Sequence, residues 1–142
     1  MGTRFIKLND GWNAEPNAPA PAVFRSGDNV TLEFDLNAFR YKDFVEGDRG
    51  RLVFRGCWRY RLSSTNDEGW YLGQRRFSNI APEWGQFYEV QGDLKFESSP
   101  TDWLVVGPEP QSPAKHFLFY LRDQTFECDA ESVQPLTVLA GR

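Results

Sequence analysis

The chain has 142 residues, 12 Phe, 5 Trp and 5 Tyr among them, and a formal net charge of −4. A length in the single-domain range and this aromatic density exclude a disordered chain, and no apolar run approaches the ~20 residues of a transmembrane helix. A net negative chain also lacks the basic footprint of a general nucleic-acid binder, so neither nucleic acid nor a membrane is an expected partner.

Met1 to Ile6 has no apolar stretch of the secretory kind, and Ile6 departs from the myristoylation pattern. A cytoplasmic location is therefore expected, with Cys57 and Cys128 reduced and the sequon Asn29-Val30-Thr31 without meaning. Residues 9–24, with Pro16, Pro19 and Pro21, read as an extended segment packed on a single domain spanning 1–142. Trp12 is its expected anchor, because so large a ring seldom stays exposed.

Residues 30–36 alternate cleanly. Val30, Leu32, Phe34 and Leu36 share one face, and Thr31, Glu33 and Asp35 the other, the period of a half-buried strand. Residues 38–46 offer one short helical turn through Ala38, Tyr41 and Val45. In residues 51–63 the even positions (Leu52, Phe54, Trp58, Tyr60, Leu62) are apolar and the odd ones include Arg51, Arg55, Arg59 and Arg61. Parity runs through Gly56, so one long strand is predicted, bent at the glycine rather than turned into a hairpin. Leu52, Phe54, Trp58 and Tyr60 should then be buried together, with Arg55, Cys57 and Arg59 on the polar face.

A turn-rich loop follows at 63–69, then a strand at 70–77 and a second loop at 79–85. Residues 86–97 repeat the alternation, with Tyr88, Val90 and Phe96 on the apolar face and Glu89, Asp93 and Glu97 on the polar one. Residues 102–106 form a short apolar strand, and Pro108, Pro110 and Pro113 an open connection. Residues 115–122 are apolar on both faces, as in a strand covered on both sides. A tight turn at Asp123-Gln124 leads to a return strand, with Phe126, Cys128 and Ala130 inward and Glu127, Asp129 and Glu131 outward. About eight short strands separated by turns predict an all-β, antiparallel, single-domain barrel or sandwich.

Charge is uneven along the chain: residues 40–76 hold nine basic and five acidic side chains, and residues 77–142 four and ten. Cross-strand pairing of the arginine strand with the acidic strand 86–97 is the simpler account, worth roughly 0.2–1 kcal/mol per pair. The alternative is a patch that recruits an anion or a partner. His116, the sole histidine, has no Gly-x-Ser-x-Gly elbow or Cys-His signature to work with. It is expected partly buried with one ring nitrogen on backbone. Cys57 among arginines would have a lowered thiol pKa if reactive, and its parity argues against pairing with Cys128. No phosphate loop, calcium loop or zinc spacing is present, so no cofactor, metal site or catalytic residue is assigned.

The candidate binding residues are Arg55, Arg59 and Arg61 on the arginine strand, with Asp67, Glu68, Trp70, Tyr71 and Trp84 in the loops flanking strand 70–77. Trp and Tyr supply large contact area at low entropic cost. The expected function is a non-catalytic protein-binding module, such as an inhibitor, an immunity-type antidote or an adaptor, with acidic strands steering a basic partner. The alternatives are a barrel holding a small apolar or aromatic ligand, and an enzyme with an unfamiliar site. A homo-oligomer is compatible with all three.

Overall fold

A computed structural model describes residues 3–64, 83, 85–92, 102–122 and 124–140. These form strands β1 (Arg4–Lys7), β2 (Ala22–Ser26), β3 (Asn29–Asp35), β4 (Arg49–Arg55), β5 (Arg59–Ser64), β6 (Phe87–Gln91), β7 (Leu104–Val105), β8 (Lys115–Tyr120), β9 (Gln124–Ala130), β10 (Ser132–Val133) and β11 (Thr137–Leu139). A six-stranded sheet has the order β1-β6-β8-β9-β5-β7, and a five-stranded sheet the order β10-β4-β3-β2 with β11 also on β4. Every pairing is antiparallel. The all-β expectation holds, and of its two forms the molecule takes the sandwich: the sheets stay separate and no barrel closes. No helix among the described residues is long and apolar enough to cross a membrane.

The alternating residues of β3 explain its place. Val30, Leu32 and Phe34 are fully buried and face the other sheet. They meet Phe117 and Phe119 of β8 and Phe126 of β9 in one apolar layer. Phe34 packs edge-on against Phe119 at 5.0 Å, and Phe54 of β4 lies 5.3 Å from Phe117 and 5.2 Å from Phe126. Such ring pairs add about 0.5–1.5 kcal/mol beyond area burial, so the aromatic content of the strands goes largely into joining the sheets. Trp12 anchors the extended segment as expected, stacked on Phe34 at 5.7 Å. Asn9 holds the segment to β6: its amide nitrogen donates to the Trp12 carbonyl and to the Gln86 side chain, and its oxygen accepts from the Phe87 N–H.

Residues 51–63 differ from the prediction. Strand β4 ends at Arg55 and β5 starts at Arg59, and the two lie in different sheets. No hairpin forms, because β4 and β5 do not pair. The chain instead changes sheets at Gly56, whose φ is +63°. Strand β9 makes the same change into β10 alongside it, with the Glu131 N–H donating to the Arg55 carbonyl. The irregular corner shifts parity locally. Cys57 takes the inward position and is buried, while Trp58 stays half-buried outside the core. Leu52 and Phe54 are buried and Tyr60 and Leu62 pack against the core, as predicted. Cys57 was expected on the polar face, apart from Cys128. Both thiols instead lie buried in the same core cluster.

One further reading changes. Phe87, whose odd parity in residues 86–97 puts it on the polar face with Glu89, enters the core between the sheets, and Tyr88 and Val90 form a second buried cluster with Leu118 and Tyr120 on the opposite face. This makes β8 covered on both sides, as its sequence implied. Residues 38–46 form successive turns, and the Tyr41 N–H to Asn37 carbonyl bond closes the one short helical turn expected there, with no helix continuing from it. The predicted loop at 65–69, strand at 70–77 and strand end at 93–97 lie outside the described residues.

Candidate functional site

Three neighbouring strands set the site on the outward face of the six-stranded sheet. Register places Arg59 opposite Asp129 and Arg61 opposite Glu127 between β5 and β9, and His116 of β8 opposite Asp129. Because side chains alternate, these five share one face. Arg59 Nε donates to Asp129 Oδ2 at 2.7 Å, and Arg61 Nη1 to Glu127 Oε2 at 2.7 Å. Arg61 also donates through Nε and Nη2 to both oxygens of the exposed Asp102, at 2.8 and 3.3 Å.

His116 lies between the two buried acids, its Nδ1 2.8 Å from Asp129 Oδ1 and its Nε2 2.9 Å from Glu127 Oε1. Carboxylates only accept, so both ring nitrogens donate and the ring is an imidazolium. Burial alone lowers the His116 pKa, but hydrogen bonds and charge from Asp129 and Glu127 outweigh it and hold the pKa above its ordinary value. Burial likewise works against the Asp129 carboxylate, and His116 and Arg59 reverse this, leaving its pKa lowered. Three cations and three carboxylates balance within the cluster. The expected single ring nitrogen on backbone is corrected: the ring is almost fully buried and both nitrogens face carboxylates.

Above this network sits an aromatic clamp. The Arg59 guanidinium carbon lies 4.4 Å from the centre of the Trp58 ring and 4.3 Å from that of Trp103. Trp103 also meets His116 edge-on at 6.2 Å. Strand β7 follows Trp103 directly and pairs with β5, Val105 opposite Arg59. As the outer strand of its sheet it leaves Leu104 55% and Val105 64% exposed. Arg25 of β2, the edge strand of the other sheet, donates through Nη2 to the Val106 carbonyl at 3.0 Å. The outermost described strands of both sheets, β7 and β2, thus meet on one flank, where Phe24 is also 53% exposed.

Of the sequence-derived candidates, Arg59 and Arg61 come together here. Arg55 does not; it is exposed on the five-stranded sheet, facing the Gln134 amide. Asp67, Glu68, Trp70, Tyr71 and Trp84 lie outside the described residues. The expected partner of the arginine strand is corrected. Strand β6 pairs with β1 and β8 and touches neither β4 nor β5 in the sheets. The arginines of β4 pair instead with β3, Arg49 with Asp35 and Arg51 with Glu33, and those of β5 with β9. Two of the acids expected to steer a partner, Glu127 and Asp129, are consequently buried and already paired.

Asp102, Trp103, Leu104 and Val105 were not singled out together. The available signal was the matching odd parity of the arginines at 59 and 61 and the acids at 127 and 129. Elsewhere, an open cleft of about 310 Å³ is lined by Glu15, Asp35, Phe39 and Glu46 among others. Its carboxylates do not suit the apolar ligand considered from sequence. Among the described residues no group of three or more His, Cys, Asp or Glu side chains is placed to hold a metal ion. Comparison of the chain with protein-family models, with curated proteins and with solved structures finds no match.

Proposed function

We propose that the chain is a non-catalytic protein-binding module that engages its partner through the β5–β7 edge. The observation that carries this reading is the juxtaposition of the exposed Val105, opposite Arg59 in the register, with the Trp58–Arg59–Trp103 cluster, on a strand whose other face leaves Leu104 exposed too. Trp and Arg are the residues that most often dominate binding energy when set in a packed, partly desolvated patch. The network beneath holds the arginine in one orientation, so less freedom is lost on binding. His116 supports the non-catalytic reading: with both ring nitrogens donating to carboxylates, neither offers a lone pair to take a substrate proton. An inhibitor, an immunity-type antidote and an adaptor in the cytoplasm are all uses of such a surface.

The test is capture of partners by the full chain and by Val105→Asp, followed by titration of the captured protein after purification. The substitution places a charge on an exposed edge position and leaves the core alone. Affinity should fall by about tenfold or more, the loss of one well-packed contact. A folded Val105→Asp protein that binds the same partner with unchanged affinity refutes the assignment of this edge.

A further inference from the structure

We infer that the Trp58–Arg59–Trp103 stack is a carboxylate-binding clamp, made for an acidic side chain on an extended apolar segment of the partner protein. This rests on the binding reading above and names the chemistry the surface selects. The guanidinium of Arg59 has a fixed geometry. The group is flat, its π faces are used by stacking, and its five N–H donors lie in the plane. Two indoles, Trp58 and Trp103, lie against the Arg59 guanidinium, their ring centres 4.4 and 4.3 Å from its central carbon. One in-plane donor, Nε, is committed to Asp129 at 2.7 Å. The Nη nitrogens donate to no group among the described residues, and the Arg59 side chain keeps 21% of its surface open. Arg59 is therefore fixed at its Nε edge and flanked by two indoles, with its outer donors uncommitted among the described residues.

That geometry suits a carboxylate, whose two oxygens can each accept one N–H of the fork. It differs from Arg61, whose donors are taken by Asp102 and Glu127. Charge favours the same ligand. The six-group cluster is neutral, and Arg25, bonded to the Val106 carbonyl one residue beyond β7, adds a positive charge at this flank. Val105, opposite Arg59 and 64% exposed, gives a flanking apolar residue of the ligand a surface to cover. The expected steering charge is thereby reversed: the site takes an acidic partner segment, not a basic one.

The test uses the full chain and two blocked pentapeptides, one with glutamate between leucines and one with glutamine in its place. Binding is followed by the indole N–H resonances of Trp58 and Trp103, assigned by replacing each with Phe. The glutamate peptide should shift both resonances and bind about tenfold more tightly than its twin, the usual gain of a charge-assisted hydrogen bond. Arg59→Lys keeps the cation beside Asp129 but lacks the planar fork, and should abolish the discrimination. Trp103→Leu removes one wall without touching the Asp129 pair, and should weaken the glutamate peptide selectively even if Arg59→Lys fails to fold.

Equal affinity for the two peptides, or no shift at Trp58 and Trp103, overturns the clamp. Inorganic phosphate binding there more tightly than the glutamate peptide overturns its assignment to a protein segment. If Val105→Asp abolishes partner binding while Arg59→Lys and Trp103→Leu leave it intact, the binding edge stands and the clamp falls. If the peptides discriminate as expected while Val105→Asp changes nothing, the clamp stands and the edge falls.

Discussion

His116 is pulled in two directions, by burial toward the neutral ring and by Asp129 and Glu127 toward the cation, and the acids prevail. Its pKa is raised on folding, so its contribution to stability is complete below the ordinary value of 6.5 and is lost as pH rises through the folded value. Asp129 is shifted down, so its contribution is present above the ordinary value of 3.8 and is lost as pH falls through the folded value. The two together give greatest stability between those ordinary values. The urea midpoint should therefore decline as pH is raised from about 6 to about 9, and His116→Gln should remove that decline. A midpoint that is level or rising over that range refutes the imidazolium. Glu127, with no exposed side-chain surface, accepts from both His116 and Arg61. Glu127→Ala takes one of two carboxylate partners from each of His116 and Arg61, leaving Asp129 and Asp102, and should cost about 3 kcal/mol in urea unfolding, the lower end of the range for breaking a buried pair from one side. A loss below about 1 kcal/mol would place the pair among weak surface bridges. The faces of these residues were legible in the sequence, since alternation put Glu127 and Asp129 on one side of β9 and Arg59 and Arg61 on one side of β5. Their pairing was not, because parity fixes a face and leaves open which strand lies alongside.

At the scale of elements, the glycines of the arginine strand have different reasons. Gly56 combines φ +63° with a tight site, where an added Cβ would come within 2.6 Å of the Glu131 side chain. Gly50 is limited by space alone, its Cβ meeting the Phe34 ring and Leu136 at 2.9 Å. Gly56→Ala should cost about 1–2 kcal/mol from the left-handed backbone, with more if Glu131 cannot move aside. Gly50→Ala should cost about 1–3 kcal/mol by overpacking. Chemical denaturation distinguishes the causes through a second change: Glu131→Ala should relieve part of the Gly56→Ala loss and none of the Gly50→Ala loss. Absence of any such coupling would separate Gly56 from Glu131. This corner also explains what the sequence concealed. Alternation continues in phase on both sides of Gly56, with Leu52, Phe54, Tyr60 and Leu62 all toward the core, so the pattern carries no mark of the change of sheet. Strands β3, β8 and β9 were legible because their neighbours are local, joined as hairpins to β2 or to each other. The β5–β9 and β1–β6 pairings join distant segments, which no local pattern specifies.

At the scale of the molecule, four arginines of the positive middle of the chain are paired with acids among the described residues. β-Sheet pairing folds Arg49 and Arg51 onto Asp35 and Glu33, and Arg59 and Arg61 onto Asp129 and Glu127. The separation along the sequence thus becomes neutral pairs in space. The same paired strands, β4 into β5 and β9 into β10, carry the chain between the sheets, and the two cysteines lie beside that passage. Cys57 sits in the crossover and Cys128 near the end of β9, both buried. Burial pushes the Cys128 thiol well above its ordinary pKa, and Cys57 donates to the Arg59 carbonyl at 3.3 Å. Thiol reagents need an accessible thiolate, and these groups become accessible only when the sheets part. A chromogenic disulfide reagent should therefore label neither cysteine in the folded protein and both in concentrated guanidinium. The slow labelling seen without denaturant should match the global unfolding rate for both thiols, since one opening frees the two together. Rapid labelling of one thiol with the strand signal in circular dichroism unchanged would contradict this. It would restore Cys57 as a reactive group and require the corner at Gly56 to open independently of the core.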